Sequence, residues 1–380
     1  MRYVGGNRLS LLRNGDQYFP ALVAAIDAAR EEIRLETYIY AGDETGSLIT
    51  DALARAAARG VRAYVLIDGF GSLEFPERFR AILAGAGVRL HVFRPVRLLN
   101  LRRDRLRRMH RKLACIDGRV AFIGGINVVD DFDTPSPTPP RFDYAVRVEG
   151  PLTAEVRAAA ARLWARVTRE TAPPAALPDA ARMPVSGGHR AALVVRDSLR
   201  HRRDIEHAYL AHLRAARREV IIANAYFLPG RRFRRALVEA ARRGVRVTLL
   251  LQGRVEYLLL HLASRAMYGQ LLDAGIGIHE YQRSILHAKV AVFDGEKACV
   301  GSSNIDPFSL LMALEANLFI DDARFAQELR ASLHDALRAG ALAIPPQQWR
   351  ARPLWQRIPI WIALGISRLL VAFAGYERYH

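Results

Sequence analysis

The chain carries the same sequence unit twice, and this duplication strongly limits the folds that it can adopt. Each copy contains the pattern His-x-Lys-x4-Asp, whose members are His110, Lys112, Asp117, His287, Lys289 and Asp294. An Asn stands seventeen residues after each His, at Asn127 and Asn304. Two half-sites that complete each other are the simplest interpretation of this pattern.

Similarity outside the motif extends the repeat to a whole α/β unit. Residues 28–40 resemble residues 215–227, and residues 56–68 resemble residues 239–252. Strands that alternate with helices favour mixed or mostly parallel sheets covered by helices on both faces. We therefore predict a duplicated α/β fold with two pseudo-twofold-related mixed-sheet domains and one active site at their interface. In each half, a Gly is expected to end the second helix, at Gly60 and Gly244.

Each motif predicts a β-hairpin whose first strand carries the His and the Lys. The segments MHRKLACIDGRVAFIGGIN and LHAKVAVFDGEKACVGSSN both turn at Asp-Gly and return on an apolar run. Asp-Gly between two apolar runs favours a tight hairpin turn. Residues two apart on a strand point to the same side, so we expect each His to share a face with its Lys.

A change in composition marks the boundary between the halves. Residues 172–191 are rich in Pro, Ala and Gly and show no hydrophobic period, which indicates a surface linker. The predicted organisation is domain 1 at residues 1–171, this linker, domain 2 at residues 192–345, and a C-terminal apolar segment at residues 346–380.

The charge of the chain favours an anionic partner. The formal net charge is +18 and the pI is about 10.6, which favours nucleic acid or an anionic bilayer as the partner. A generally Arg-rich composition explains part of this charge. Hydrophobic residues make up 51% of the chain, which fits a globular enzyme that touches a membrane. Cys115 and Cys299 are predicted to be buried core residues in a reducing compartment, and no apolar run of signal-peptide length is found at the N-terminus.

The paired motifs supply the groups that phosphodiester chemistry needs. That chemistry requires a nucleophile, a proton donor for the leaving oxygen and positive charge around the non-bridging oxygens. With an ordinary pKa of about 6.5, His110 and His287 can hold opposite protonation states near neutral pH. The expected phosphate ligands are Lys112, Lys289, Asn127 and Asn304. Neither a metal nor another cofactor is required.

The acidic residues are expected to have two different roles. Each His needs a partner that fixes its tautomer, and Asp143 and Glu315, at the start of the strand after each hairpin, are the candidates. Asp117 and Asp294 complete the catalytic motifs, but their position at a hairpin turn favours a structural role within them.

Both motifs resemble the HKD signature of the phospholipase D superfamily, and the resemblance covers roughly residues 9–322. A single motif of this kind is a weak signal, whereas two copies with equal spacing to Asn are specific. The segments that closely resemble bacterial cardiolipin synthases of the B type are NGDQYFPAL, LETYIY, RRMHRK, FIGGIN, DYAVRVEGP, REVIIANAYFLPG and GSSNIDPFSL followed by LEAN. The resemblance implies a phospholipase D-like fold with the active site between the two domains.

The same resemblance implies a phosphatidyltransferase that makes cardiolipin from two phosphatidylglycerols, releasing glycerol through a covalent phosphohistidine and without a metal. In the superfamily the first His is usually taken as the nucleophile, which assigns that role to His110 and acid–base catalysis to His287. Other cardiolipin synthases of the superfamily begin with transmembrane helices, and this chain has none there. We therefore expect a peripheral protein on the cytoplasmic side of the cell inner, or cytoplasmic, membrane.

Three segments are predicted to contact that membrane. Residues 358–376 are nearly all apolar but are interrupted by Pro359 and Arg368, which favours a helix in the membrane interface over a span or a core helix. Residues 94–112 (the first lip) combine arginines with leucines, and residues 255–269 (the second lip) present an apolar face. We expect these lips to border a lipid entrance; ordinary amphipathic helices packed on the core are the alternative.

Three other functions stay open. A phospholipase D would use water as the acceptor, and a nuclease of the same superfamily would explain the net charge. Against a nuclease, the leucine-rich lips serve no nucleic acid and residues 96–108 lack interleaved aromatic residues for base stacking, so no nucleic acid partner is expected. A catalytically inactive binding module is disfavoured by the intact His, Lys and Asn of both halves.

Overall fold

The fold is given by a computed structural model that describes residues 1–96, 107–132, 139–170, 185–197, 201–307, 309 and 313–373. The first half contains β1 (Val4–Arg13), α1 (Asn14–Asp27), β2 (Glu32–Thr37), α2 (Glu44–Ala58), β3 (Arg62–Asp68), α3 (Glu77–Gly85), β4 (Arg89–Phe93), β5 (Lys112–Ile116), β6 (Val120–Gly124), β7 (Tyr144–Glu149) and α4 (Leu152–Thr168).

Among the described residues, the second half repeats this order of elements and adds α8 between α7 and β11. It contains β8 (His189–Arg196), α5 (Asp204–Ala215), β9 (Glu219–Asn224), α6 (Arg231–Arg242), β10 (Arg246–Gln252), α7 (Leu258–Arg265), α8 (Tyr268–Asp273), β11 (Gly277–Tyr281), β12 (Lys289–Phe293), β13 (Lys297–Gly301), β14 (Glu315–Asp321) and α9 (Ala323–Gly340). The C-terminal part adds β15 (Ala341–Ala343), α10 (Pro346–Arg350) and α11 (Leu354–Phe373).

The strands of the described residues form one sheet in the order β15-β11-β10-β9-β12-β13-β14-β8-β1-β7-β6-β5-β2-β3-β4. Outward from the β8–β1 seam, the corresponding strands of the two halves follow in the same order. In each half the first strand's neighbours are antiparallel, whereas β2-β3-β4 and β9-β10-β11 are parallel. The predicted duplication into mixed-sheet halves is therefore confirmed.

The two halves also share one buried core. Strands β6 and β7 of the first half contact β13 and β14 of the second half. A single cluster of buried side chains joins Leu113 and Val146 from the first half with Val300 and Leu318 from the second half. Helices α4 and α9 add side chains to this cluster, while α1 to α3 and α5 to α8 contribute to separate clusters in their own halves. Both faces of each half-sheet are therefore covered, as predicted.

The two motif hairpins have the expected tight turns. Both central residues of each turn have positive φ, as a type I′ turn requires, and a backbone hydrogen bond closes each turn. The φ angles are 52° at Asp117, 63° at Gly118, 55° at Asp294 and 68° at Gly295. Gly60 and Gly244, which follow α2 and α6, both have φ +88°, so the predicted helix ends are also confirmed.

The strands begin later than the sequence predicts. Strand β5 starts at Lys112 and β12 starts at Lys289, so each motif His lies two residues before its strand and does not share a regular strand with its Lys. The reason is that the preceding segments pair across the two halves, through isolated bridges between Met109 and Leu314 and between Phe142 and Leu286. Strand β8 begins at His189, inside the predicted linker, of which residues 172–184 lie outside the described residues.

Helix α11 packs along one face and exposes the other. Ile360, Ala363 and Leu364 are buried, and the helix packs against α7. Trp361 is 61% exposed and Leu369 is 70% exposed on the outer side. In the described part of the chain, no helix combines the length and apolar character that a membrane crossing needs. Residues 97–106 of the first lip lie outside the described residues, and the second lip contains α7.

Candidate active site

The two motif histidines lie at the junction of the halves, and each is bound to a carboxylate from the other half. His110 Nδ1 lies 2.9 Å from Glu315 Oε1, and His287 Nδ1 lies 2.7 Å from Asp143 Oδ2. These are the acids that sequence analysis proposed as orienting residues, with the halves exchanged. Because a carboxylate binds Nδ1 of each ring, Nε2 is left for chemistry at both histidines.

Backbone hydrogen bonds place each His against the other half. The His110 N–H donates to the Leu314 carbonyl (2.9 Å), one residue before Glu315. The His287 N–H donates to the Phe142 carbonyl (2.9 Å), one residue before Asp143. The same cross-half pairing that shortens β5 and β12 thus brings each His within reach of its carboxylate.

Two polar residues that sequence analysis missed hold the segments in front of the histidines. Asp68, at the end of β3, is fully buried and accepts the Met109 N–H at 2.7 Å. Gln252, at the end of β10, accepts the Leu286 N–H at 2.9 Å. The sequence feature that could have identified both is a polar residue at the carboxyl end of an apolar parallel strand. The two residues occupy corresponding positions of the repeat.

The motif lysines are buried between these pairs. The Lys112 ammonium donates to the His110 carbonyl at 2.7 Å, and the Lys289 ammonium donates to the His287 carbonyl. Burial, reinforced by repulsion from Lys289, lowers the pKa of Lys112 to about 7. Burial also lowers the pKa of Lys289 to about 8, against the attraction of Asp143, whose Oδ2 is 3.8 Å from the ammonium nitrogen.

Burial also shifts the pKa values of the two histidines and of one carboxyl group. Burial and the Lys112 ammonium lower the pKa of His110, although Glu315 opposes this shift. Burial and Lys289 hold the pKa of His287 well below its ordinary value. Burial raises the pKa of Asp143 to about 6. The two buried ammonium groups therefore repel each other, and an anionic group bound beside them would relieve this repulsion.

The two motif asparagines are buried beside the cluster. The Asn127 side-chain oxygen accepts the Ile39 N–H at 3.1 Å, which fixes the orientation of its amide. The Asn304 side-chain oxygen is buried without a hydrogen-bond partner among the described residues. Ser302, two residues earlier, donates to Glu315, while its counterpart Gly125 leaves room for the Asp143 carboxylate.

Asp117 and Asp294 lie at the far ends of β5 and β12 from the histidines. Asp117 accepts backbone N–H groups from Arg30, Glu31 and Glu32 at 2.8 to 2.9 Å. Asp294 accepts the corresponding N–H groups from Arg217, Arg218 and Glu219. Both carboxylates thus tie the hairpin turn to the residues that lead into β2 or β9.

Aromatic and charged residues that the motif does not include lie near the motif residues. The Tyr38 ring meets the His110 ring edge to face at a centroid distance of 4.8 Å, and the Lys112 ammonium lies 5.2 Å from its centroid. Arg141 of the first half is 4.0 Å from Glu256 of the second half. The contact between Arg141 and Glu256 depends on how the halves pack, whereas Tyr38, His110 and Lys112 all belong to the first half.

Within the described ranges, no group of three or more His, Cys, Asp or Glu side chains could hold a metal ion. Cys115 and Cys299 are both buried free thiols in β5 and β13, as expected.

Known proteins of similar sequence indicate the family of this chain. The family model described as "Cardiolipin synthase, PLD-like domain" matches residues 22–132 and 209–337. Cardiolipin synthase B of Escherichia coli K12 is 41% identical over 386 residues, which cover 99% of this chain and 91% of the relative. Cardiolipin synthase A of Klebsiella pneumoniae is 33% identical over 363 residues, which cover 93% of this chain and 74% of the relative.

Solved structures show the same fold at lower sequence identity. Phosphatidylserine synthase of Haemophilus influenzae aligns with a TM-score of 0.66 and 13% identity, covering 96% of this chain and 92% of that chain. Polyphosphate kinase of Porphyromonas gingivalis aligns with a TM-score of 0.61 and 17% identity, covering 97% of this chain and 53% of that chain. The sequence matches, rather than these distant structures, decide the family: this chain belongs to the cardiolipin synthase family of phospholipase D-like proteins.

Proposed function

We propose that this chain is a phosphatidyltransferase that makes cardiolipin from two phosphatidylglycerols and releases glycerol. Chains of 41% and 33% identity that are named cardiolipin synthases support this reaction. The proposed substrates are anionic phospholipids rather than nucleic acids, and the proposed chemistry uses side chains alone, without a metal or another cofactor.

The exchanged pairing of His110 with Glu315 and of His287 with Asp143 is the observation that carries the proposal. Two-step transfer needs one His that attacks phosphorus and a second His that moves protons. Each ring here has a carboxylate on Nδ1, and the two rings face a common cluster with Lys112 and Lys289. The halves therefore form one site with two separate histidine roles.

In the proposed first step, neutral His110 attacks the phosphorus of one phosphatidylglycerol through Nε2. A P–N bond forms, the P–O bond to the terminal glycerol breaks, and His287 gives its proton to the departing glycerol oxygen. Glu315 offsets the positive charge that the imidazole gains. Lys112 and Lys289 hold the non-bridging oxygens, with Asn127 and Asn304 as further donors.

A second phosphatidylglycerol completes the transfer. Its free glycerol hydroxyl gives a proton to His287, which is now neutral, while the hydroxyl oxygen attacks the phosphohistidine phosphorus. The P–N bond breaks, cardiolipin forms, and both histidines return to their starting protonation states. Bound phosphate is expected to raise the pKa of His287, because the anion offsets the cations that lower it.

Product analysis tests this function. Purified protein would be incubated with labelled phosphatidylglycerol in mixed micelles, with chelator and no added metal, and the lipids resolved by chromatography and mass. We expect cardiolipin and an equal amount of glycerol. Phosphatidic acid as the sole product would show hydrolysis and contradict the proposal.

Variants of the two histidines locate the reaction in this assay. We expect His110→Ala and His287→Ala each to lower turnover by about a thousandfold or more, because each removes a separate role. His201→Ala is the matched control, since His201 is an exposed histidine outside the site, and it is expected to keep full turnover. Unchanged turnover in either site variant would place the chemistry elsewhere.

We further propose that the chain binds the cytoplasmic face of a bacterial membrane peripherally, through α11 and the two lips. The outer face of α11 carries the exposed residues Trp361, Ile362 and Leu369, and the second lip exposes Tyr257 and Leu258. Exposed apolar side chains beside basic residues fit an interfacial helix on anionic lipid. An α11 in this position would keep the site close to its lipid substrates.

Vesicle sedimentation tests this membrane face. Ile362→Gln with Leu369→Gln removes two exposed apolar side chains and leaves the buried face of α11 intact. We expect this variant to move from the vesicle pellet toward the supernatant. The control Leu342→Gln changes an equally exposed leucine on β15 and is expected to sediment like the parent chain. Equal sedimentation of all three proteins would contradict the proposed face.

A further inference from the structure

A basic cavity lies apart from the active site, between α6, the α7–α8 turn, α10 and α11. Its volume is about 530 Å³, which is within the range of small-molecule sites. Six arginines and one acidic residue, Asp273, contribute to its lining. None of the motif residues or their carboxylate partners lines it. The arginines are Arg234, Arg265, Arg350, Arg352, Arg357 and Arg368.

Only two of these arginines have a carboxylate partner among the described residues. Arg265 binds Glu280 at 2.7 Å, and Arg350 binds Asp273 at 2.6 Å. Arg234 is the clearest of the remaining four: its Nε is buried without a hydrogen-bond partner in the described part of the chain, and its Nη1 contacts only a methionine sulfur. Burial, together with repulsion from Arg368, lowers the pKa of Arg234. Four of the six arginines thus lie close together without a carboxylate partner among the described residues.

Helix α11 gives the cavity one charged and one apolar border. Arg357, Trp361, Leu364 and Arg368 follow at helical spacing and all line the cavity, so they form one edge of the helix. Trp361 is also 61% exposed, and the neighbouring outer face is apolar. A molecule that combines an anionic group with hydrocarbon chains fits both borders.

We propose that this cavity is a second lipid site, which binds the phosphate of an anionic phospholipid headgroup while the acyl chains extend along the outer face of α11. Guanidinium groups recognise phosphate through paired, charge-assisted hydrogen bonds, which accounts for several arginines around one space. The inference rests on the proposed function only in placing α11 at the membrane. It assigns this headgroup to anchoring, not to chemistry.

Helix α7 links this lipid site to the active site. It has eight residues, Leu258–Arg265, and so extends for about 12 Å. Arg265, at its end, lines the cavity, while Glu256, just before its start, accepts a hydrogen bond from Tyr226 and lies 4.0 Å from Arg141. A headgroup in the cavity would therefore hold the membrane one short helix away from Glu256, whose charge acts on Lys289 of the active site.

The test compares two double variants that remove the same charge. Arg234→Gln with Arg368→Gln removes two cavity arginines, and Arg232→Gln with Arg235→Gln removes two exposed arginines of α6 outside the cavity. Binding would be measured to phosphatidylcholine vesicles with and without phosphatidic acid, at raised salt that screens exposed charges. We expect the cavity variant to lose about tenfold or more of the affinity that depends on phosphatidic acid. The control variant should bind like the parent chain.

Two further measurements separate the outcomes. Turnover on monomeric short-chain phosphatidylglycerol should be equal in all three proteins. Arg234→Lys with Arg368→Lys keeps the charge but not the paired guanidinium bonds, so it should restore only part of the vesicle binding. Equal vesicle binding by the cavity and control variants would overturn the lipid site without affecting the proposed function. Displacement of vesicles by an equal concentration of inorganic phosphate would show a free-phosphate site and overturn the lipid assignment. Loss of short-chain turnover in the cavity variant alone would overturn the separation of the two sites.

Discussion

At the scale of single residues, we expect the charge of the buried ammonium groups to control phosphate binding at the candidate site. Lys112, with a pKa of about 7, and Lys289, with a pKa of about 8, are both shifted down by burial. A group with a lowered pKa loses its proton at lower pH than usual, so both ammonium charges disappear as the pH rises through this interval. Phosphate binding should weaken in the same interval.

We therefore predict an alkaline decline of kcat/KM between about pH 7 and pH 8, where the free enzyme loses these charges. In the complex, bound phosphate stabilises the ammonium forms, so the decline of kcat should lie at higher pH. The measurement is a pH profile on monomeric short-chain phosphatidylglycerol. Identical alkaline limbs in kcat and kcat/KM, or none at all, would rule out this assignment.

Sequence analysis could name the motif residues but not their pairing. The spacing of His110, Lys112 and Asn127 is a local pattern that recurs in the second half. It can be recognised without knowledge of the fold. That Glu315 binds His110, rather than the His of its own half, follows from how the halves pack. The arginine cavity likewise could not be predicted from the sequence, because its members come from several separate helices.

At the scale of single elements, Asp117 and Asp294 hold the hairpins to the rest of each sheet. Each carboxylate accepts three successive backbone N–H groups, and each residue has a positive φ that few residue types tolerate. We infer a structural role for both, because their bonds are to backbone far from the histidines.

We predict that Asp117→Ala lowers the free energy of unfolding by about 2 to 4 kcal/mol, because it leaves three N–H groups without their acceptor and strains the turn. Asp117→Asn should lose less, since Asn tolerates positive φ and keeps one oxygen. Urea unfolding measures both changes. A normal stability combined with a large fall in kcat would instead make Asp117 part of the chemistry.

The tight turns and helix ends are predictable from the sequence, whereas the start of each motif strand is not. The Asp-Gly turns and the Gly helix ends depend on local backbone preferences, and both predictions are confirmed. The placement of the histidines on regular strands was wrong, because Met109 and Leu286 pair with the other half. Helix α11 packs one face on α7 and exposes the other, and its predicted contact with a membrane stays a proposal.

At the scale of the whole molecule, the two halves share a core and a continuous sheet. The buried cluster that contains Leu318 also contains residues of β5, β6 and β7 from the first half. Duplication predicted two similar halves, but not the joining of β1 to β8, since nothing in the repeat specifies which edge strands meet. The halves should therefore be one cooperative unit.

We predict that Leu318→Ala lowers the free energy of unfolding by about 2 to 5 kcal/mol and shifts both halves together, because its side chain is fully buried in the shared core. Variants that keep only Trp164 or only Trp349 of the four tryptophans would report denaturant unfolding of the first and of the second half separately. The control Leu342→Ala, at an exposed leucine, should be close to neutral. Unfolding of one half at an unchanged midpoint would contradict the shared unit.

The stereochemistry at phosphorus tests directly whether one site, completed by both halves, transfers the phosphatidyl group through His110. Phosphatidylglycerol made chiral at phosphorus by sulfur would be converted to product and the configuration of the product determined. Two successive in-line displacements, at His110 and then at the phosphohistidine, predict retention of configuration. Inversion would mean direct attack by the acceptor and would contradict the covalent intermediate.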